Sequence, residues 1–147
     1  VSRRLKQTAI AILVVFAAAQ LIRPNRANPP TDERRTIQTQ LGTASAMPAI
    51  LDRACGDCHS NSTVWPWYTE VAPVSWLMAY GVKEGRRAVN FSEWAAYPAE
   101  RQRQLLVASC RDVSVGTMPG SAWIRLHPEA RLSAQDIETI CVAARRT

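Results

Sequence analysis

The stretch from Arg53 to Tyr68 reads RACGDCHSNSTVWPWY, with two cysteines three apart and a histidine directly after the second. On a helix, Cys55 and Cys58 stand at i,i+3, and Cys55 and His59 at i,i+4, so all three side chains share one face. Covalent haem attachment needs that face: two thiols reaching the two vinyl groups of one porphyrin, and an imidazole beside them aimed at the iron. The spacing is a known attachment signature. Two other chemistries compete for it. A redox dithiol of the thioredoxin kind calls for a βαβ setting. Tetrahedral zinc needs two further ligands, and Cys110, His127 and Cys141 lie far along the chain and unpaired.

The flanking sequence favours the helix. In MPAILDRACGDCH, starting at about Pro48, Ile50, Leu51, Ala54 and Cys58 fall along one side, and proline suits a first turn. Three more helices are expected: about Val74 to Ala88, a segment opened by Pro98, and LSAQDIETICVAARR. In the last, Ser133 is a good N-cap, Asp136 stands three residues on, and Ile137, Ile140, Cys141 and Ala144 form a stripe. Alternating strand patterns are absent, so the fold class is mostly α. The chain's 147 residues suffice for one domain with a core.

Charge separates the chain into unequal parts. Residues 1–44 hold seven Lys/Arg against two acids, and residues 45–147 hold eleven against ten, within a total of +6. The folded part is near neutral, which leaves little basis for a nucleic-acid face. The N-terminus is basic in VSRRLKQ, then apolar from Thr8 to Ile22, then stopped by RPNRANPP, as in an export signal. Two forms are open: a peptide cleaved near Ala17-Ala18-Ala19, or a retained transmembrane anchor over residues 1–22. Residues 23–44, with three prolines and little patterning, read as a linker, with one helical turn around Glu33 to Leu41, to a haem domain over 45–147. Both export readings put residues 23–147 outside the cytoplasm. There Cys110 and Cys141, left over from the haem motif, are free to form a disulfide; two buried free thiols are the alternative.

Covalent haem leaves one axial position to fill, and His nitrogen and Met sulfur suit it. Met118 lies in the turn-rich GTMPG, where packing explains a methionine poorly. His127, before Pro128, is the rival. Met47 and Met78 read as packing. A Met/His pair closes both axial positions, which suits electron transfer rather than oxygen or peroxide chemistry.

Beyond the motif, the sequence contains Asn28-Pro29-Pro30, Ser60-Asn61, Trp65-Pro66-Trp67-Tyr68, Ala72-Pro73-Val74-Ser75-Trp76, Gly85, Asn90-Phe91-Ser92-Glu93-Trp94, Met118-Pro119, His127-Pro128, Ala130 and Leu132-Ser133. This combination resembles the haem-binding domain family of bacterial exported proteins, itself similar to class I cytochromes c. The resemblance implies a cytochrome c-like helical domain around one covalent haem c, with Cys55, Cys58, His59 and Met118 as haem residues. The chain departs from the family pattern at Gly120, Trp123, Cys110 and Cys141. Of the aromatics, Trp65, Trp67, Tyr68, Trp76 and Trp94 are candidates to wall the porphyrin.

The expectation is a membrane-anchored monohaem cytochrome. It would pass single electrons to membrane-bound redox proteins on the periplasmic side of the bacterial cytoplasmic membrane. The alternative is a haem sensor or peroxidase-like enzyme in which Met118 is displaceable.

Overall fold

Local sequence signals start most of the helices. In the computed structural model, which describes residues 2–42 and 45–146, seven α-helices are joined by turns and short 3-10 segments. Val1, Thr43, Ala44 and Thr147, at the edges of the expected anchor, linker and haem domain, lie outside the described residues. The helices are α1 (Arg3–Ala19), α2 (Ile37–Leu41), α3 (Met47–His59), α4 (Val74–Ala88), α5 (Ala99–Ser114), α6 (Ser121–Leu126) and α7 (Ala134–Arg146). No strand occurs among the described residues. Pro48 sits in the first turn of α3, where its missing N–H costs nothing. Before α7, the Ser133 hydroxyl accepts the Asp136 N–H at 3.1 Å, while the Asp136 carboxylate accepts the Ser133 N–H at 2.8 Å, a reciprocal cap.

The core gathers Ile37 of α2, Met47 and Leu51 of α3, and Ile140 of α7, with Phe91, Trp94, Leu106 and Val113 around them. Helix α5 packs along α7, and Cys110 and Cys141 join them by a disulfide with a Cα–Cα separation of 4.8 Å. Helix α4 crosses α3 at Gly85. A Cβ there would lie 2.4 Å from the Cys58 carbonyl oxygen, so only glycine permits the crossing.

The N-terminus corrects the expected fold. No helix among the described residues is long and apolar enough to cross a membrane. Helix α1 has 17 residues, about 25 Å at 1.5 Å per residue, against a hydrocarbon core of about 30 Å. Its first turns carry Arg3, Arg4 and Lys6, so the apolar part is shorter still. It ends at Ala19, short of Ile22, because Gln20 turns the chain onto the domain. The Gln20 amide accepts the Ala72 N–H at 2.9 Å, and the Trp76 indole donates to the Ile22 carbonyl at 2.8 Å. The transmembrane helix over residues 1–22 is therefore withdrawn.

The segment read as a linker is strapped to the helices. Arg26 donates to the Thr69 carbonyl at 3.1 Å and pairs with Glu70 at 2.6 Å. Asn28 donates to the Thr63 carbonyl at 2.9 Å, and Asn61 donates to that of Pro30 at 3.1 Å. Further on, Ile37 is fully buried. An extended strap held by polar bonds to distant residues has no hydrophobic period, so its sequence resembles that of a free linker.

Candidate functional site

The last turn of α3 carries Cys55, Cys58 and His59, and two neighbouring features orient it. Gly85 lets α4 press against the Cys58 backbone. The chain leaving α4 then brings the Val89 carbonyl 3.2 Å from His59 Nδ1. A carbonyl only accepts, so Nδ1 carries the proton and Nε2 keeps its lone pair. Burial holds the imidazole below its usual pKa, which favours the neutral ligand form. A metal-bound histidine commonly has its second nitrogen fixed in this way.

Both motif cysteines are free thiols. Burial, with Cys58 alongside, pushes the Cys55 thiol up to about 12, and burial followed by the Asp57 charge also raises Cys58. A redox dithiol needs the opposite shift. Among the described residues, no group of three or more His, Cys, Asp or Glu side chains could hold a metal ion. The dithiol reading thus lacks the lowered thiol it needs, and the zinc reading lacks further ligands among the described residues.

Cys55, His59 and Met118 together border two adjoining cavities. One, of about 300 Å³, runs between α3 and α5, with Phe91, Leu105 and Ile140 as apolar wall and Arg101 and Gln104 at its polar edge. The other, of about 80 Å³, adds Cys58, Pro119 and Trp123. Ligand sites are commonly mostly apolar with a few polar groups, and these cavities have that character. Met118 is 47% exposed. Its loop is fixed at the end of α5, where the Asp112 carbonyl accepts the N–H groups of Thr117 and Met118 at 3.0 and 3.2 Å.

His127 has both ring nitrogens engaged. Nδ1 lies 3.0 Å from Glu129 Oε1 and Nε2 lies 2.5 Å from the Tyr68 hydroxyl. Met47 is fully buried in the core and Met78 is half-buried on α4. Neither borders these two cavities.

The aromatics are distributed differently from the sequence expectation. Trp94 is in the core, packed edge-on to Tyr97, and Trp67 is 80% exposed. Trp76 caps the Ile22 carbonyl and Trp65 lies under Arg26. The rings that border the cavities are Phe91, tilted at 5.9 Å from His59, and Trp123. Sequence reasoning missed Val89, because a backbone carbonyl leaves no mark in residue type. It recorded Gly85 and Phe91 only as parts of a pattern. A glycine within an otherwise amphipathic helix was the available signal for a close crossing.

A model of the family described as haem-binding domain matches residues 14–145. No curated protein and no solved structure matches the chain.

Proposed function

The chain belongs to the haem-binding domain family, and from that premise we propose that it is a monohaem c-type cytochrome carrying single electrons. The observation that carries this reading is the Val89 carbonyl on His59 Nδ1, which leaves Nε2 free, with His59 and both unpaired thiols on the smaller of the two apolar cavities. Cys55 and Cys58 would hold haem c by thioether bonds, and His59 and Met118 would be the residues that ligate its iron. When bound, the haem supplies a one-electron iron couple. The protein residues exclude water through Leu105, Phe91 and Ile140, keep His59 neutral, and offer Arg101 at the edge suited to an anionic propionate.

The compartment in this proposal is the periplasmic side of a bacterial cytoplasmic membrane, with redox proteins of that membrane as partners. The Cys110–Cys141 bond supports an oxidising compartment. The proposal requires no membrane span in this chain.

The test is chemical and spectroscopic. Haem should stay with the polypeptide through acid–acetone extraction, and Cys55→Ala with Cys58→Ala should yield little holoprotein. Complete extraction would refute covalent attachment. A reduced spectrum unchanged by carbon monoxide supports the carrier. Prompt carbon monoxide binding by the wild type would move the reading to a sensor or peroxidase-like protein, in which the exposed Met118 yields to ligands.

A further inference from the structure

Met118 is carried by a loop, and a loop sulfur ligates reliably only if the segment on its far side is also fixed. The near side is held by the Asp112 carbonyl at the end of α5. On the far side, α6 begins directly after Gly120 and ends at Leu126, with His127 as its C-cap. The Trp123 ring of α6 stacks on the His127 ring with centroids 3.7 Å apart and planes within 9°. Trp123 also borders the cavity beside Met118 and Pro119. Position and contact thus link His127 to the Met118 loop.

His127 is in turn tied to the attachment helix. Glu129 is a carboxylate held below its usual pKa first by its own backbone N–H and then by His127, so it accepts a hydrogen bond from Nδ1–H. Nε2 is then an acceptor, and the Tyr68 hydroxyl donates to it. Tyr68 belongs to the turn that follows the motif. From α3 itself, Arg53 donates to the backbone carbonyls of Glu129 and Arg131, and pairs with Asp136 at 3.1 Å at the start of α7. Arg53 stands two residues before Cys55. The segment from Trp123 to Arg131 is thereby bolted to the helix that bears Cys55, Cys58 and His59.

We propose that His127 is a positioning residue for the distal ligand: through Tyr68, Glu129 and the Trp123 stack it keeps the Met118 loop closed over the haem site. This rests on Met118 being the ligand. His127 does not ligate the iron, since both nitrogens are engaged. It sets how readily an outside ligand displaces the sulfur. The clamp therefore separates a closed electron carrier from a ligand-accepting haem protein built on the same attachment site.

The test uses the full-chain holoprotein. Met118→Ala comes first: it should abolish the near-infrared band of thioether-ligated ferric haem, and a band that persists would refute the ligand reading itself. His127→Phe keeps a ring for Trp123 to stack on and removes both hydrogen bonds. It should bind imidazole in the ferric state about thirtyfold more tightly than wild type, with weakening of the band; each ordinary hydrogen bond is taken as about fivefold. Tyr68→Phe removes one hydroxyl and should give about fivefold. Trp123→Ala should open the site, and Trp123→Phe, which restores an aromatic face, should close it again. Thermal unfolding of each variant is followed by circular dichroism, and the imidazole titrations are run well below the midpoint. If His127→Phe does not fold, Tyr68→Phe and the Trp123 pair decide alone. Wild-type imidazole affinity and an intact band in Tyr68→Phe and Trp123→Ala, with the band lost in Met118→Ala, would overturn the clamp while leaving the ligand reading standing.

Discussion

At the scale of single residues, the attachment helix depends on one absent side chain. Gly85 faces the Cys58 carbonyl so closely that a methyl group must move one helix or the other. Gly85→Ala should cost about 1–3 kcal/mol by overpacking, despite alanine's better helix propensity. It should also lower the yield of covalently loaded protein, because Cys58 and the neighbouring His59–Val89 contact shift together. Denaturant midpoints and the ratio of haem to protein would check this. A variant as stable and as well loaded as wild type would show that the crossing has slack. The cysteines and histidine of this site are legible from their spacing alone, since the helical period puts them on one face whatever surrounds them. The Val89 carbonyl is not, because any residue type at position 89 would offer the same oxygen.

At the scale of elements, α5 and α7 form a pair held by apolar contacts and by Cys110–Cys141. The bond closes a loop between positions 31 apart in sequence. Its loss in Cys110→Ser with Cys141→Ser should lower stability by about 2–4 kcal/mol, mainly by freeing the unfolded chain. Thiol labelling of unfolded, unreduced protein should find no free thiol outside the haem motif. The cap at the head of α7 is a smaller contribution: Ser133→Ala should lower stability by about 1 kcal/mol in the same unfolding assay. The helices α3, α4, α5 and α7 are readable because apolar periodicity, the prolines at the heads of α3, α4 and α5, and the cap of α7 act locally. The strap from Arg23 to Asp32 is not readable, because its partners lie some thirty to fifty positions away. Its ionic attachment depends on pH. Arg26 and Arg23 hold the Glu70 carboxyl below its ordinary value. The folded pKa is depressed, so the pairing is fully present above the unfolded value and is lost as pH falls through the folded one. Hydrogen exchange over the strap should therefore quicken, beyond the intrinsic pH trend, as pH falls below the ordinary glutamate range. Glu70→Gln should show fast exchange there already at neutral pH. A strap equally protected in that variant would mean that the Asn28 and Asn61 hydrogen bonds suffice.

At the scale of the whole molecule, the described residues form one helical body from which α1 extends with none of its residues buried. Removing residues 2–19 while keeping Gln20 should leave the unfolding free energy within about 0.5 kcal/mol of the intact chain, as expected for positions outside the core. A large loss would mean that α1 covers apolar surface in solution. Some features of the molecule were determined by sequence alone: the mostly helical class, the ends of four helices, and the face that carries Cys55, Cys58 and His59. Each follows from interactions within one or two turns, so no distant partner is needed to specify it. Tertiary structure decided the rest. It selected the His59 tautomer through a carbonyl 30 residues away. It put Met118 on the cavity of Cys55 and His59, drew the strap onto the helices, and engaged His127 on both nitrogens instead of leaving it free in a loop. It also ended α1 at Ala19, short of a membrane span, because Gln20 and Ile22 found partners in Ala72 and Trp76. These outcomes depend on which segments meet in space, and residue order carries no local trace of such meetings.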